Sequence, residues 1–171
     1  MLSLNHQFIV SAKIFQMTTP IHHYSAGSAS PQGTRRLGRI LARALLPGDW
    51  VLLVGDLGAG KTVLASGIGL GLGVPDRFHS PSFTICHLHQ GTLPVEHYDL
   101  YRVGWNEWPQ TGLAEPFPGG IRIVEWAPPE LAEEPESLLV EIAVQDMRHR
   151  KFRLRSPRPL RLPTCWKEVL P

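Results

Sequence analysis

The 171 residues suffice for one ordinary domain with some trimming, and 43% apolar against 19% charged residues is the balance of a soluble globular chain with a real core. Cys86 and Cys165 stand far apart, which excludes a disulfide framework and cysteine metal spacing, and the eight histidines are scattered with no Cys, Asp or Glu pattern around them. The net charge of +2 conceals a partition: residues 1–48 hold five basic side chains and no acid, residues 49–147 four basic and fourteen acidic, and residues 148–171 eight basic and one acidic.

Residues 1–30 read as a flexible extension. Ser25–Gly33 is small and turn-prone, a short strand is conceivable at Phe8–Ile14, and Met17 competes with Met1 as the start. No basic region, apolar run and cleavage site of a signal peptide is present, and Val63–Val74, the longest weakly polar stretch, carries four glycines and is too short to span a bilayer, so a cytoplasmic address is expected. Order is expected from Thr34, an N-cap candidate, after which Leu37, Ile40, Leu41, Ala44 and Leu45 recur on one helical face until Pro47-Gly48-Asp49. Trp50–Val54 is a buried parallel strand by length and composition. Gly55–Gly60 is a loop, and Lys61–Leu72 a helix whose glycines weaken it but permit close packing against a sheet. Phe83–Leu88 and Leu93–Tyr98 are strands joined by a hairpin-like turn. Trp105–Gly120 is mostly loop, with a short helix near Glu107–Leu113. Ile121–Glu125 is a further buried strand, and Pro128–Pro135 an exposed acidic connector. Leu138–Val144 and Lys151–Leu154 form a closing antiparallel pair, with Lys151, Arg153 and Arg155 on the face opposite Phe152 and Leu154. Residues 157–171 are a basic, proline-rich tail with no clear element, leaving 31–156 as the domain. The basic flanks either meet RNA, DNA or an acidic partner or form a plain solvated surface.

The chemistry concentrates in Gly55-Asp56-Leu57-Gly58-Ala59-Gly60-Lys61-Thr62, a full G-x-x-x-x-G-K-[ST] match between a strand and a helix. Glycines let successive backbone N–H groups turn inward on a phosphate, and the following helix adds the positive end of its dipole. Lys61 reaches the β- and γ-phosphates of ATP (or GTP), and the Thr62 hydroxyl is a Mg²⁺ ligand. The fold class that follows is α/β, P-loop NTPase-like and three-layered, its mostly parallel sheet carrying antiparallel additions. An acid for Mg²⁺ belongs at a neighbouring strand end, and both Asp99 and Glu125 stand there. Arg102, three residues beyond Asp99, faces the phosphates, pairs with an acid or lies exposed. Ser80, Ser82 and Thr84 around Pro81 form a γ-phosphate-sensing switch or an ordinary turn. Trp126 is a lid on the site or a core residue.

Four blocks together resemble one family. Gly55–Thr62 is identical to the GDLGAGKT of TsaE, the small ATPase of the bacterial system that makes N6-threonylcarbamoyladenosine on tRNA. Ser80-Pro81-Ser82-Phe83 is similar to its SPTF, His97–Arg102 to HFDLYR, and Val124-Glu125-Trp126 to IEW followed by proline, where this chain has Ala127. The likeness runs from about Thr34 to Arg155. It implies that Lys61 and Thr62 hold phosphate and Mg²⁺, that Asp99 coordinates Mg²⁺, that Glu125 acts near the γ-phosphate in hydrolysis and touches the metal, and that Ser80–Phe83 is the nucleotide-responsive switch. Thr34, Arg102 and Trp126 are further site candidates. The resemblance implies Mg²⁺ and ATP as cofactors, and as partners a TsaD-like transferase subunit and its TsaB-like paralogue, with tRNA met indirectly and no membrane involved. A small-molecule kinase is the first alternative, opposed by the lack of arginine in Glu107–Gly120; a nucleic-acid-binding protein using its basic flanks is the second.

Overall fold

The computed structural model describes residues 20–75, 84–103, 107–113, 115–132, 137–167 and 169–170. Eight strands, β1 (His22–Ser28), β2 (Trp50–Val54), β3 (Cys86–His89), β4 (Val95–Asp99), β5 (Ile121–Glu125), β6 (Leu138–Val144), β7 (Arg150–Ser156) and β8 (Val169–Leu170), form one sheet in the order β3-β4-β5-β2-β6-β7-β1-β8. The central four, β4, β5, β2 and β6, run parallel. β2 and β6 are largely aliphatic runs, β4 is mostly polar and aromatic (Val-Glu-His-Tyr-Asp), and β5 is buried along its whole length, as a central parallel strand must be. β3, β7 and β1 are antiparallel to their neighbours, and β8 adds in parallel beside β1. This is the expected mostly parallel sheet with antiparallel additions.

Helices α1 (Pro31–Ala42) and α2 (Lys61–Gly71) cover one face. Leu37, Leu41, Leu64 and Ile68 are fully buried there with Val51, Leu53, Ile123 and Val140. Each such burial stabilises by about 1.5–3 kcal/mol. The other face is covered over β4, β5 and β2 by Leu100, Leu113, Ala127 and Leu131, the last from the single-turn helix α3 (Pro129–Ala132). The buried Arg122 ties this layer down, donating from Nε to Glu96 at 2.7 Å and from Nη1 to the Leu113 carbonyl at 2.8 Å. Among the described residues no helix is long and apolar enough to cross a membrane.

Several sequence expectations change. Thr34 is not the cap: α1 begins at Pro31, and the Ser30 hydroxyl accepts from Gly33 N–H at 3.0 Å. The extension expected over residues 1–30 contains strand β1, held in register with β7 from His22–Ser156 to Ser28–Arg150. Its small polar residues look like linker because pairing with β7, not local propensity, makes the strand. Phe8–Ile14 lies outside the described residues. Gly67 and Gly71 of α2 face the neighbour helix α1 and not the sheet. A Cβ on Gly67 would stand 2.3 Å from the Arg35 carbonyl oxygen, and one on Gly38 2.5 Å from that of Leu64, so both helices need the missing side chains to cross this closely. The expected short helix near Glu107–Leu113 is a single 3-10 turn, Trp108–Thr111. The connector begun at Pro128 is not wholly exposed, since Leu131 is buried.

The tail is part of the core. Proline spacing forbids a long regular element there, yet Leu160 and Trp166 are 7% and 2% exposed. Arg158 donates to the Ala44 carbonyl and to the Asp49 carboxylate, and Leu160 N–H donates to the Tyr24 hydroxyl at 2.7 Å. The β7 alternation is as read: Phe152 and Leu154 are buried, while Lys151 and Arg153 are exposed.

Candidate functional site

The site grows from the carboxyl edge of the central strands. β2 ends at Val54, and the chain turns at once through Gly55, whose φ of +152° and whose approach to Ile142 leave no room for a side chain: a Cβ would sit 2.5 Å from the Ile142 oxygen. The loop closes at Gly60, φ +106°, the N-cap of α2. That left-handed conformation favours glycine and leaves the first-turn N–H groups of α2 turned toward the loop.

Lys61 is 4% exposed. Its Nζ donates to the carbonyls of Gly55 at 2.7 Å and Asp56 at 2.9 Å, and lies 3.4 Å from the centre of the Trp126 ring. Burial pushes the ammonium below the ordinary lysine range, while the carboxylates of Glu125, Asp99 and Asp56 pull the other way.

Glu125, 1% exposed, is the hub of the polar network. Its Oε2 accepts from the Thr62 hydroxyl at 2.8 Å, and its Oε1 lies 2.8 Å from Nε2 of the fully buried His97. An ionised carboxylate only accepts, so His97 donates from Nε2. Asp99 stands in register beside Glu125 at the end of β4, and its Oδ1 accepts from Tyr101 N–H at 3.0 Å. Thus Lys61 and Thr62, Asp99, and Glu125, from three separated stretches of the chain, meet at the carboxyl edge of the sheet. Trp126 is neither plainly core nor a detached lid. It is half-buried, holds φ at +59°, and its ring meets both Lys61 and the Tyr101 ring, the latter tilted by 44° with its centroid 4.7 Å away. A left-handed conformation at a bulky aromatic residue is strained, and here it turns the ring onto the lysine.

These groups line a cleft of about 920 Å³ whose rim includes Arg102, Glu107 and Gln110. Arg102 is exposed at that rim. A second recess of about 440 Å³ opens on the other side of the loop, between Thr34 and Met147. Thr34 itself is pinned, its hydroxyl 2.7 Å from that of Ser28 and 3.2 Å from the Ser30 carbonyl. Ser80, Pro81, Ser82 and Phe83 lie outside the described residues. Two contributors escaped the sequence reading of the site, His97 and Tyr101. The signal for His97 was its i, i+2 spacing to Asp99, which puts both side chains on one face of the sheet. No group of three or more His, Cys, Asp or Glu side chains that could hold a metal occurs among the described residues.

A glycine-bounded loop leading from a parallel strand into a helix, with acids at the two neighbouring strand ends, defines a P-loop NTPase-like α/β protein. The family described as threonylcarbamoyl adenosine biosynthesis protein TsaE matches residues 28–152. The chain belongs to that TsaE family. It is 37% identical over 130 residues to the tRNA threonylcarbamoyladenosine biosynthesis protein TsaE of Bacillus subtilis, covering 73% of this chain and 82% of that one. It is 46% identical over 99 residues to the TsaE of a Synechocystis species, covering 54% and 63%, and 40% identical over 120 residues to that of Streptomyces coelicolor, covering 66% and 81%. The crystal structure of Bacillus subtilis YdiB superposes with a TM-score of 0.61 at 29% identity, over 81% of this chain and 88% of that one.

Proposed function

We propose that the chain binds Mg²⁺–ATP at the phosphate loop and hydrolyses it slowly. The cycle serves tRNA threonylcarbamoyladenosine formation in the cytoplasm, through a TsaD-like transferase subunit and its TsaB-like paralogue. The supporting observation is the convergence of Lys61, Thr62 and Glu125 beneath the loop. Loop N–H groups and the amino end of α2 receive phosphate oxygens. Lys61 exchanges its carbonyl partners for β- and γ-phosphate oxygens, in surroundings where a charge pair is stronger than in water. Because Thr62 gives its proton to Glu125, its lone pairs turn outward to a cation. Thr62, Asp99 and Glu125 together offer alcohol and carboxylate oxygens, the donors a hard cation takes. So sparse a protein set suits Mg²⁺, which keeps waters and leans on phosphates. When bound, Mg²⁺ neutralises charge on the β- and γ-phosphate oxygens. Glu125 orients the attacking water and accepts its proton as the water oxygen bonds to the γ-phosphorus; the bond from that phosphorus to the bridging oxygen breaks, leaving ADP and phosphate. His97 fixes the rotamer of Glu125 for that task. The nucleoside lies in the recess beside Thr34.

Steady-state phosphate release, by the chain alone and with the paralogue–transferase pair, tests this reading. The pair should raise a slow basal rate. A rate indifferent to the pair would remove the partner role, and absence of Mg²⁺-dependent turnover in both conditions would remove the ATPase.

A further inference from the structure

α1 carries a surface that the nucleotide site does not use. Arg35, Arg36, Arg39 and Arg43 are all exposed on this helix and its C-cap. Arg35, Arg39 and Arg43 follow at i, i+4 and i+8, one row about 12 Å long, with Arg36 beside it. Like charges at that spacing oppose helix formation. Nothing on the helix relieves them: no acid occurs between residues 31 and 48, and none of the four arginines enters an ion pair among the described residues. The nearest acid along the chain, Asp49, is engaged by Arg158. α2 alongside contributes no acid either.

Such a row is complementary to a polyanion. All four cations are arginines, whose planar forks fit phosphate oxygens two at a time. A protein partner fits less well. Protein interfaces are built on an apolar or aromatic centre depleted of charge, whereas the exposed residues of α1 are Pro31, Gln32 and the arginines. A nucleic-acid backbone needs no apolar anchor and is met by surfaces of this polar, strongly positive kind. We propose that the arginine face of α1 docks an RNA backbone, contacting phosphates without reading sequence. The choice of RNA over DNA rests on the tRNA-modification reading; none of the four arginines lines the nucleotide cleft. Lys151 and Arg153 lie exposed on β7, but Arg153 stands in register with Glu141, which dilutes the charge and makes that strand a natural control.

The test is fluorescence anisotropy of labelled bulk tRNA with the full chain, between about 50 and 200 mM salt. R35Q/R36Q/R39Q/R43Q keeps helix propensity and removes the charge. It should bind at least tenfold more weakly at low salt, with a log–log salt slope shallower by roughly 3. Its melting midpoint should equal or slightly exceed that of wild type, since the like-charge repulsion along the row is gone, its Mg²⁺–ATP affinity should match wild type, and K151Q/R153Q should bind tRNA within twofold of wild type. R36Q/R43Q, away from the Arg35 and Arg39 backbone contacts with α2, should give about half the slope change and serves if the fourfold variant does not fold. Equal binding by wild type and the arginine variants overturns the proposal, as does no binding by wild type. So does an equal loss in K151Q/R153Q, or a loss confined to capture of the transferase subunits, which would make the face a protein contact. Tighter binding of duplex DNA than of tRNA overturns the choice of RNA. Failure of Mg²⁺–ATP binding with tRNA binding intact would instead defeat the nucleotide reading alone.

Discussion

Glu125→Gln separates catalysis from scaffolding more cleanly than any truncation at this position. Glu125 is 1% exposed and receives Thr62 Oγ1 and His97 Nε2, each at 2.8 Å. Alanine would leave both donors buried without an acceptor, at about 1–3 kcal/mol each, a substantial part of a total stability of about 5–15 kcal/mol. Glutamine keeps the shape. Its amide oxygen still accepts from Thr62, and its NH₂ donates to His97 once the imidazole takes the other tautomer. Each charge-assisted bond becomes a neutral one, a loss of about 1 kcal/mol apiece, offset by no longer burying a carboxylate. The fold should therefore survive with a melting midpoint within a few degrees of wild type. Turnover should not. Loss of the proton acceptor costs about 10²–10⁴ in rate, or roughly 3–5 kcal/mol of barrier. Phosphate release under saturating Mg²⁺–ATP reads the rate, calorimetry the affinity and a thermal melt the fold. A folded E125Q protein turning over within threefold of wild type would refute the role given to Glu125.

Asp99→Asn should weaken Mg²⁺-dependent nucleotide binding by roughly tenfold or more while leaving Mg²⁺-free binding nearly unchanged; superimposable Mg²⁺ titrations would rule out the ligand role. A chain starting at Gln32 loses β1 and the Ser30 cap, and should fail to show a cooperative melt, whereas a normal melt would mean that β1 contributes little. Trp166→Ala should lower stability by about 3–5 kcal/mol in chemical denaturation, because the ring is buried in the same core as Leu37, Leu41, Leu64 and Ile68; a change below about 1 kcal/mol would show the tail to be dispensable.

The sequence was most legible where one short segment decides its own conformation. Gly55–Thr62 encodes its loop in glycine spacing, and Ile121–Glu125 and Leu138–Val144 appear at the boundaries read from their apolar runs. Asp99 and Glu125 were found from their places at strand ends. What stayed hidden depends on distant partners. His22–Ser28 has the composition of a linker and becomes a strand because β7 offers it an edge. Leu160 and Trp166 sit among prolines that disguise a core contribution. The glycines of α2 announce a close approach but not whose. The bond from His97 to Glu125 joins side chains 28 positions apart, and no local pattern contains it. The left-handed Trp126, which sets the ring against Lys61, is equally invisible in composition.

Lys61 carries the proposed chemistry as the phosphate-binding cation of the loop. Isothermal calorimetry of Mg²⁺–ATP binding to wild type and Lys61→Met isolates that role, since methionine keeps an unbranched apolar side chain of similar length and lacks the ammonium. K61M should lose at least tenfold in affinity, about 1.4 kcal/mol or more, while still melting cooperatively. Equal affinity in a folded K61M protein would contradict that role.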